Sequence, residues 1–174
     1  ATTDEGLLTK PFRERLTIKE RLEPYALDAI QKIVIKNVQA EGMSIAESAA
    51  ALLARSSRST PRIAVNRVKW VRNIALCLGK KKIDDALALE SLKQAGISED
   101  GFDSHDEKYV RVLATAFNGG PVSLKNISSA IEISEITVKE VIEPFLVRSG
   151  YIAMFPRGRA LTIKGARLYK EKLK

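Results

Sequence analysis

The chain has 174 residues, 29% of them charged, and a formal net charge of +8. A chain of this length holds one large domain or two small ones, each able to bury a core. No apolar run approaches the roughly 20 residues that span a bilayer, and no secretory signal opens the chain, so we expect no membrane partner.

The chain has one cysteine, Cys77, and one histidine, His105, which almost excludes a structural zinc site, so we predict no metal site. Cys77 lies in a strongly apolar stretch, which predicts a buried, reduced thiol and suits a cytoplasmic protein. The stretch "DSHDEK" around His105 predicts a solvated helix start, and we assign His105 no role.

Basic residues are concentrated in two zones of the chain. Residues 55–82 carry nine Lys or Arg and no acid, and residues 151–174 carry seven Lys or Arg against one acid, Glu171. Such clustering favours a polyanionic partner, either nucleic acid or an anionic lipid. In the first zone we expect mostly solvent-exposed or intersubunit charges rather than direct DNA contacts at Arg55, Arg58, Arg67, Lys69 and Arg72.

Residues 25–96 read as four short helices joined by short loops, the pattern of a small helical bundle. "YALDAIQKIVIKNVQAEG" is the first, and "SIAESAAALLARSS" is the second, with Ser44 and Glu47 at capping-box spacing. The third is "STPRIAVNRVKWVRNIALCLG", in which Pro61 suits the first helical position. "KIDDALALESLKQAG" is the fourth.

A polar, acidic stretch at residues 97–104 is the candidate domain boundary, and a different arrangement follows it. "DSHDEKYVRVLATAFNGG", "SLKNISSAI" and "SEITVKEVIEPFLVRSG" predict three helices, the last one kinked or shortened by Pro144. "YIAMF" and "ALTI" then predict two strands around "PRGR", and "GARLYKEKLK" predicts a final helix. Three helices followed by a β-hairpin is the order of a winged-helix domain.

The hairpin places Arg157 and Arg159 at the tip of the wing, with Gly158 allowing a tight turn. Two arginines on a projecting loop can reach phosphates or enter a minor groove. Two alternatives stay open: a solvated hairpin whose arginines only keep it soluble, and a winged helix that docks on protein.

Several short motifs, each weak alone, occur in an order and spacing that resembles one family. They are "ATT", "GLL", "STPRIA", "GGPV", "EPFL" followed by "GY", and "PRGR". Together they are similar to the RuvB-type Holliday-junction branch-migration motor of bacteria. The resemblance covers Ala1 to about Lys170. It implies a mainly α chain, with the end of an AAA+ ATPase core at 1–25, a helical lid bundle at 26–98 and a winged helix at 99–174.

The resemblance also implies that a phosphate-binding loop and an acidic metal-binding motif precede "ATT". This sequence contains no G-x-x-x-x-G-K-[ST] pattern, since "GKKK" at 79–82 lacks the first glycine and the following Ser or Thr. We therefore interpret the chain as a C-terminal part of a longer protein, and expect it not to hydrolyse ATP by itself.

Two residues near the start acquire catalytic roles only through the resemblance. Thr3 matches the sensor-one position, whose hydroxyl would sense the γ-phosphate; the alternative is a plain strand-end threonine. Arg15 matches the arginine finger that reaches the ATP of a neighbouring subunit, although Leu16 and Thr17 stand where the family has Phe-Gly. Arg13 is a second candidate for the finger or an intersubunit ion-pair partner, and the alternative for both arginines is a set of local ion pairs.

The resemblance places two further residues beside the nucleotide. Tyr25 would pack beside the adenine; the alternative is an ordinary buried aromatic. Arg62 matches sensor two, which contacts the phosphates in cis. A cation in the first turn of a helix opposes the macrodipole unless an anion is bound there, which supports this role. The alternative is an ion pair with an acid such as Glu47, and Ser59 replaces the glycine usual in the family.

In the wing, the family has a basic residue and Thr before P-R-G-R, where this chain has Met154 and Phe155. The resemblance makes Arg159 a DNA contact, and Arg157 can compensate for the basic residue lost at position 154. With one phosphate contact fewer, we expect lower DNA affinity and a flatter salt dependence.

The resemblance implies a homohexameric, ATP- and Mg-dependent DNA helicase that drives branch migration at four-way junctions, with RuvA-type and RuvC-type partners. The winged helix would grip the duplex arms without sequence preference. Two alternatives remain: a winged-helix DNA-binding regulator with an unrelated helical domain, and a non-catalytic scaffold derived from this family.

Overall fold

The computed structural model describes residues 8–20 and 22–173, which fold around two separate hydrophobic cores. Helix α1 (Lys10–Arg15) comes first and buries none of its residues. The first core lies between four helices, α2 (Leu27–Ala40), α3 (Glu47–Arg55), α4 (Pro61–Cys77) and α5 (Asp85–Gln94).

The first core follows the 3.6-residue period of these helices. Ile30 and Val34 of α2 and Val68 and Val71 of α4 are buried, so each helix turns one apolar stripe inward. Pro61 occupies the first turn of α4, as predicted. The predicted four-helix bundle is confirmed.

The prediction that Cys77 is buried is wrong, because its side chain is exposed. The buried face of α4 runs through Val71 and Ala75. Cys77 follows Ala75 by two residues, and a helix with 3.6 residues per turn rotates about 100° per residue, so Cys77 lies about 200° away from that face. Burial therefore gives no support to the inferred reducing compartment.

The capping role predicted for Ser44 is also wrong. Ser44–Ile45 forms a short strand, β1, which pairs in parallel with β2 (Lys82–Ile83). The backbone N–H of Ser44 donates to the carbonyl of Lys81 at 3.1 Å, and α3 begins only after Ala46. The backbone at Ser44 is thus used by a pairing partner distant in sequence, which the local capping pattern could not indicate.

The second core belongs to a winged-helix arrangement. Its elements are α6 (Ser104–Thr115), α7 (Leu124–Ile131), α8 (Glu135–Thr137), α9 (Glu143–Arg148), β3 (Ile152–Phe155), β4 (Gly158–Leu161) and α10 (Ile163–Leu168). The predicted mainly α class with a small hairpin wing is confirmed. Within the described residues, no helix combines the length and apolar character needed to cross a bilayer.

The third helix of the winged helix contains a wide turn before Pro144. A π-helical segment, Val138–Ile142, joins α8 to α9, and Pro144 stands in the first turn of α9. Proline lacks an N–H, and its ring clashes with the carbonyl four residues earlier, so a wider turn relieves both problems. The distortion expected from Pro144 takes this form.

The wing is a tight antiparallel hairpin. Met154 pairs with Arg159 and Phe155 pairs with Gly158, which leaves Pro156 and Arg157 as a two-residue turn. On its other side, β4 bridges to Val122 through two backbone hydrogen bonds between Val122 and Arg159, of 2.8 and 2.9 Å. The wing is therefore fixed along one edge to the body of the domain.

Gly158→Ala is expected to destabilise the winged helix more than Gly150→Ala. Both glycines have positive φ, +133° and +73°, so alanine is strained at both by about 1–2 kcal/mol. A Cβ at Gly158 would also overlap the carbonyl of Val122, whereas at Gly150 it would meet nothing within 4 Å. We expect a further loss of about 1–3 kcal/mol at Gly158, measured by chemical denaturation. Equal losses in the two variants would contradict the tight contact between wing and body.

Candidate functional site

Arg62 is an exposed cation at the start of α4. The first turn of α4 contains no acid, and among the described residues Arg62 makes no ion pair or hydrogen bond, with Glu47 or any other residue. Ser59 just before this helix has a φ of +55°, the left-handed conformation that glycine adopts most readily. Free N–H groups and an unpaired guanidinium at one helix end form an arrangement that an anion would stabilise.

Tyr25 lies beside a cleft of about 470 Å³ between the helical bundle and the winged helix. Its side chain is half exposed. Arg55, Arg58 and Arg148 line the same cleft, whereas Arg62 does not. The structure therefore does not bring Tyr25 and Arg62 together in one cleft.

Arg15 lies in the last turn of α1 and is exposed. The local ion pair of this helix is Lys10 with Glu14 at 3.9 Å, so among the described residues neither Arg13 nor Arg15 has a carboxylate partner. Arg15 is therefore accessible from outside the chain. Thr3 lies outside the described residues.

Arg58 connects the two halves of the molecule. It belongs to the loop between α3 and α4, has a φ of +54°, and its side chain is only 11% exposed. Its Nε donates to the carbonyl of Gly101 at 2.7 Å, and its Nη2 donates to the carboxylates of Asp103 and Asp106. The guanidinium also lies 4.2 Å above the centre of the Phe145 ring.

These contacts fix the start of the winged helix against the bundle. Asp103 and Asp106 form the capping box of α6, so Arg58 binds the beginning of the first winged-helix helix. Arg148 donates in return to the carbonyl of Arg58 at 3.2 Å, and Arg55 binds Glu99 at 3.0 Å. Because both sides of the junction donate and accept, the two cores are held together by a network rather than by a single bond.

The carboxyl of Asp106 is buried in this junction. Burial raises its pKa to about 7. The charge of Asp103 adds to this increase, whereas Arg58 and the backbone N–H of Asp103 oppose it. Its Oδ1 has no hydrogen-bond partner among the described residues. A nearby arginine, Arg67, is also desolvated, and its pKa is lowered by burial and by the positive charge of Arg58.

In the wing, Arg159 is held inside the domain. Its Nε and Nη2 donate to the two carboxylate oxygens of Glu143 at 2.6 and 3.2 Å, and the hydroxyl of Tyr109 donates to the same carboxylate at 3.0 Å. Glu143 is 2% exposed. The hydrogen bond to Glu143 raises the pKa of Arg159, and burial raises the pKa of Tyr109. Nη1 of Arg159 keeps no hydrogen bond to any described residue.

Arg157 stands at the turn of the wing, exposed and without an ion pair to any described residue. Of the two arginines predicted to contact DNA, the structure thus leaves one fully free. The exposed surface of the third helix carries no net charge, because its two acids are matched by two bases: Glu135, Glu140, Lys139 and Arg148.

The sequence reasoning missed both buried acids. Glu143 falls three residues before Leu146 on the apolar face of its helix, which is a readable signal for a buried, partnered charge. For Asp106 the signal for a buried charge is weaker, since it is only the fourth residue of a helix-capping pattern. Nothing local to Arg58 indicated that it would leave the bundle to bind another domain.

Comparison with protein families gives two matches in tandem. Residues 25–98 match the RuvB AAA lid domain, and residues 99–170 match the RuvB C-terminal winged helix domain. The chain is 40% identical over 164 residues to the Holliday junction branch migration complex subunit RuvB of Thermosipho melanesiensis, covering 94% of this chain and 52% of the relative. The corresponding subunit of Prosthecochloris aestuarii is 39% identical over 162 residues, covering 93% of this chain and 47% of the relative.

Solved structures agree with the sequence matches. The Thermotoga maritima RuvB Holliday junction branch migration motor superimposes with a TM-score of 0.86 at 30% identity, covering 97% of this chain and 57% of that one. A point mutant of the same motor gives a TM-score of 0.87 at 31% identity, covering 99% of this chain and 58% of that one. The chain spans about half the length of the curated relatives it matches.

Asp106→Asn is expected to alter how stability depends on pH. The folded pKa of Asp106, about 7, lies above its ordinary value of 3.8, so the folded state holds a proton that the unfolded state releases between these values. The free energy of unfolding therefore falls as pH rises from about 4 to about 7, and the stability due to this group is lost above its folded pKa. In the variant this contribution is absent.

Thermal melts of both proteins from pH 4 to 8 measure this difference. The variant should gain stability relative to the parent as pH rises from about 4 to about 7, because it lacks the carboxyl that the folded parent keeps protonated over this range. Parallel curves would show that Asp106 titrates near its ordinary pKa.

Proposed function

Because the chain belongs to the RuvB family, we propose that it forms the lid and DNA-contacting part of an ATP-driven motor that moves four-way DNA junctions. The observation that carries this proposal is the Arg58 network. Arg58 precedes α4 by three residues and Arg62 by four, and its side chain is bound within the winged helix. A displacement of the start of α4 would therefore be transmitted to the DNA-contacting domain.

In this proposal ATP binds at the face of the bundle where α4 begins. Arg62 contacts its phosphates in cis and Tyr25 lies beside the adenine. Arg15 enters the site of the neighbouring subunit in a homohexamer, where an arginine finger contributes roughly 10³- to 10⁵-fold in rate. Thr3 is the sensor-one residue. Mg²⁺ and the phosphates would be held by a phosphate-binding loop that these 174 residues do not contain.

The support for these roles is the availability of the side chains. Arg62 and Arg15 are both exposed and lack a carboxylate partner among the described residues, so each is free to meet an anion. An unpaired guanidinium in the first turn of a helix is electrostatically unfavourable without such an anion. The half-exposed ring of Tyr25 offers an apolar face next to the same bundle.

The winged helix would contact the duplex arms of the junction through its wing. Arg157 is the free cation for a phosphate, and Arg159 contributes its remaining Nη1 while Glu143 fixes its position. A cytoplasmic site of action and RuvA-type and RuvC-type partners belong to the same proposal. The family resemblance supports all three.

Arg157→Ala is expected to weaken binding of labelled four-way-junction and duplex DNA to this chain. The slope of log K against log salt should become shallower by about 0.9, because one phosphate contact is lost. Fluorescence anisotropy over a salt series measures both quantities. Arg62→Ala removes the same charge from the bundle and is the matched control, whereas Arg159→Ala is unsuitable because it leaves Glu143 buried without its cation.

If Arg157→Ala and Arg62→Ala weaken binding equally, the effect is one of net charge and the wing is not the contact. If the parent chain binds no DNA even at low salt, the proposed role of this winged helix is wrong and the scaffold alternative is favoured.

The purified 174-residue chain is expected not to hydrolyse ATP, because it has no phosphate-binding loop. Phosphate release from the chain and from its Arg62→Ala variant measures this. Turnover that the variant lowers would contradict the proposal, since a contaminating ATPase would be equal in both preparations.

A further inference from the structure

The tip of the wing is apolar as well as basic. Met154 and Phe155 at the end of β3 are 47% and 54% exposed. They stand directly before the two-residue turn that carries Arg157. Large apolar side chains at a projecting tip are costly in water unless a partner covers them.

The wing offers few cations for a grip that depends on phosphates alone. Met154 lies directly opposite Arg159 in the hairpin, and Arg159 is bound through two nitrogens to the buried Glu143. Arg157 is the one wing arginine without such a partner among the described residues. The third helix adds no net positive charge, since its exposed acids and bases are equal in number.

The charge around the tip of the wing indicates which kind of partner covers Met154 and Phe155. Residues 151–174 carry seven Lys or Arg and one acid, so the surroundings of the apolar tip attract a polyanion. The apolar part of a nucleic acid is its base stack and the sugar wall of the minor groove. Minor-groove proteins use Phe and Met in this way, inserting them beside or between base steps.

We propose that Met154 and Phe155 contact the bases and sugars of DNA from the minor groove, while Arg157 binds the adjacent phosphate. This rests on the proposed function and adds to it the way in which this wing contacts DNA. In this wing an apolar contact with DNA then takes the place of the second ionic contact that a basic residue at position 154 would have made.

The backbone of the wing presents these side chains in a fixed position. β4 is bonded to Val122, Gly158 packs against the carbonyl of Val122, and Arg159 is anchored on Glu143. A tip held at three points loses little conformational entropy when it binds. Rigidity of this kind suits insertion into a groove, because a mobile tip would fold away from it.

The test uses the purified chain with duplex and four-way-junction DNA that contain 2-aminopurine, whose fluorescence increases on unstacking. Phe155→Thr and Met154→Thr keep a residue that favours strands. We expect Phe155→Thr to lower affinity by about 5- to 150-fold, the range measured for aromatic side chains that contact bases, with an unchanged salt slope. The 2-aminopurine signal should fall in the same variant.

Two matched controls replace exposed isoleucines of the same domain. Ile163, which is 87% exposed, lies outside the wing at the start of α10, and Ile136, which is 76% exposed, lies on the third helix. Each is replaced by threonine. Both variants should bind DNA like the parent. A loss with Ile136→Thr equal to that of Phe155→Thr would place the contact on the third helix and overturn the proposal.

A double variant, Met154→Arg with Phe155→Thr, restores the basic residue and the threonine of the family pattern. It should bind with a salt slope steeper by about 0.9 and without the 2-aminopurine signal. Met154→Thr, which keeps Phe155, tests the proposal if Phe155→Thr fails to fold, and melting curves of all variants are compared with that of the parent.

The outcomes separate this proposal from the proposed function. If Arg157→Ala weakens binding but the threonine variants do not, the DNA function stands and the apolar contact is wrong. If no protein binds DNA, both fail. If the threonine variants leave DNA binding intact but lower self-association in sedimentation, the apolar tip is a contact between protein chains and the proposal is overturned.

Discussion

The arrangement of this molecule depends on one guanidinium placed in a junction between two cores. Arg58 leaves the helical bundle in a left-handed backbone conformation and binds a carbonyl, two carboxylates and an aromatic ring of the winged helix. Each core has its own apolar cluster, so hydrophobic burial within each core does not fix the angle between them. Removing one partner from a buried ion pair costs about 3–5 kcal/mol, which makes this junction a strong constraint.

The same physics organises the wing. Glu143 is buried, and such a charge is tolerated only when its oxygens are satisfied. Tyr109 and Arg159 satisfy them, and in doing so they tie the first helix, the third helix and the hairpin together. Arg159 therefore has a structural task that limits its freedom to contact a ligand. A basic residue near a predicted binding surface is not always available to a ligand, because an internal ion pair can already hold it.

The charged side chains that are available to a ligand are those that the Arg58 and Glu143 clusters do not use. Arg62 and Arg157 are exposed cations without carboxylate partners among the described residues, one at the start of α4 and one at the turn of the wing. The Arg58 junction lies between the elements that carry them. The relatives that this chain matches are subunits of a Holliday junction branch migration complex.

The sequence by itself determined the helices of both domains, the winged-helix order, the hairpin and the family, because apolar periodicity, prolines, glycines and short motifs are local signals. It placed Arg62 at a helix start for the same reason. Only the tertiary structure decided which of these side chains and backbone groups are paired inside the protein and which are exposed. Ser44 joined a strand with Lys82, Cys77 turned to solvent, Arg58 crossed to the second domain and Arg159 bound Glu143. Each of these outcomes depends on a partner far away in sequence or on the angular position of a side chain relative to a packed face. Local pattern and composition do not contain that information.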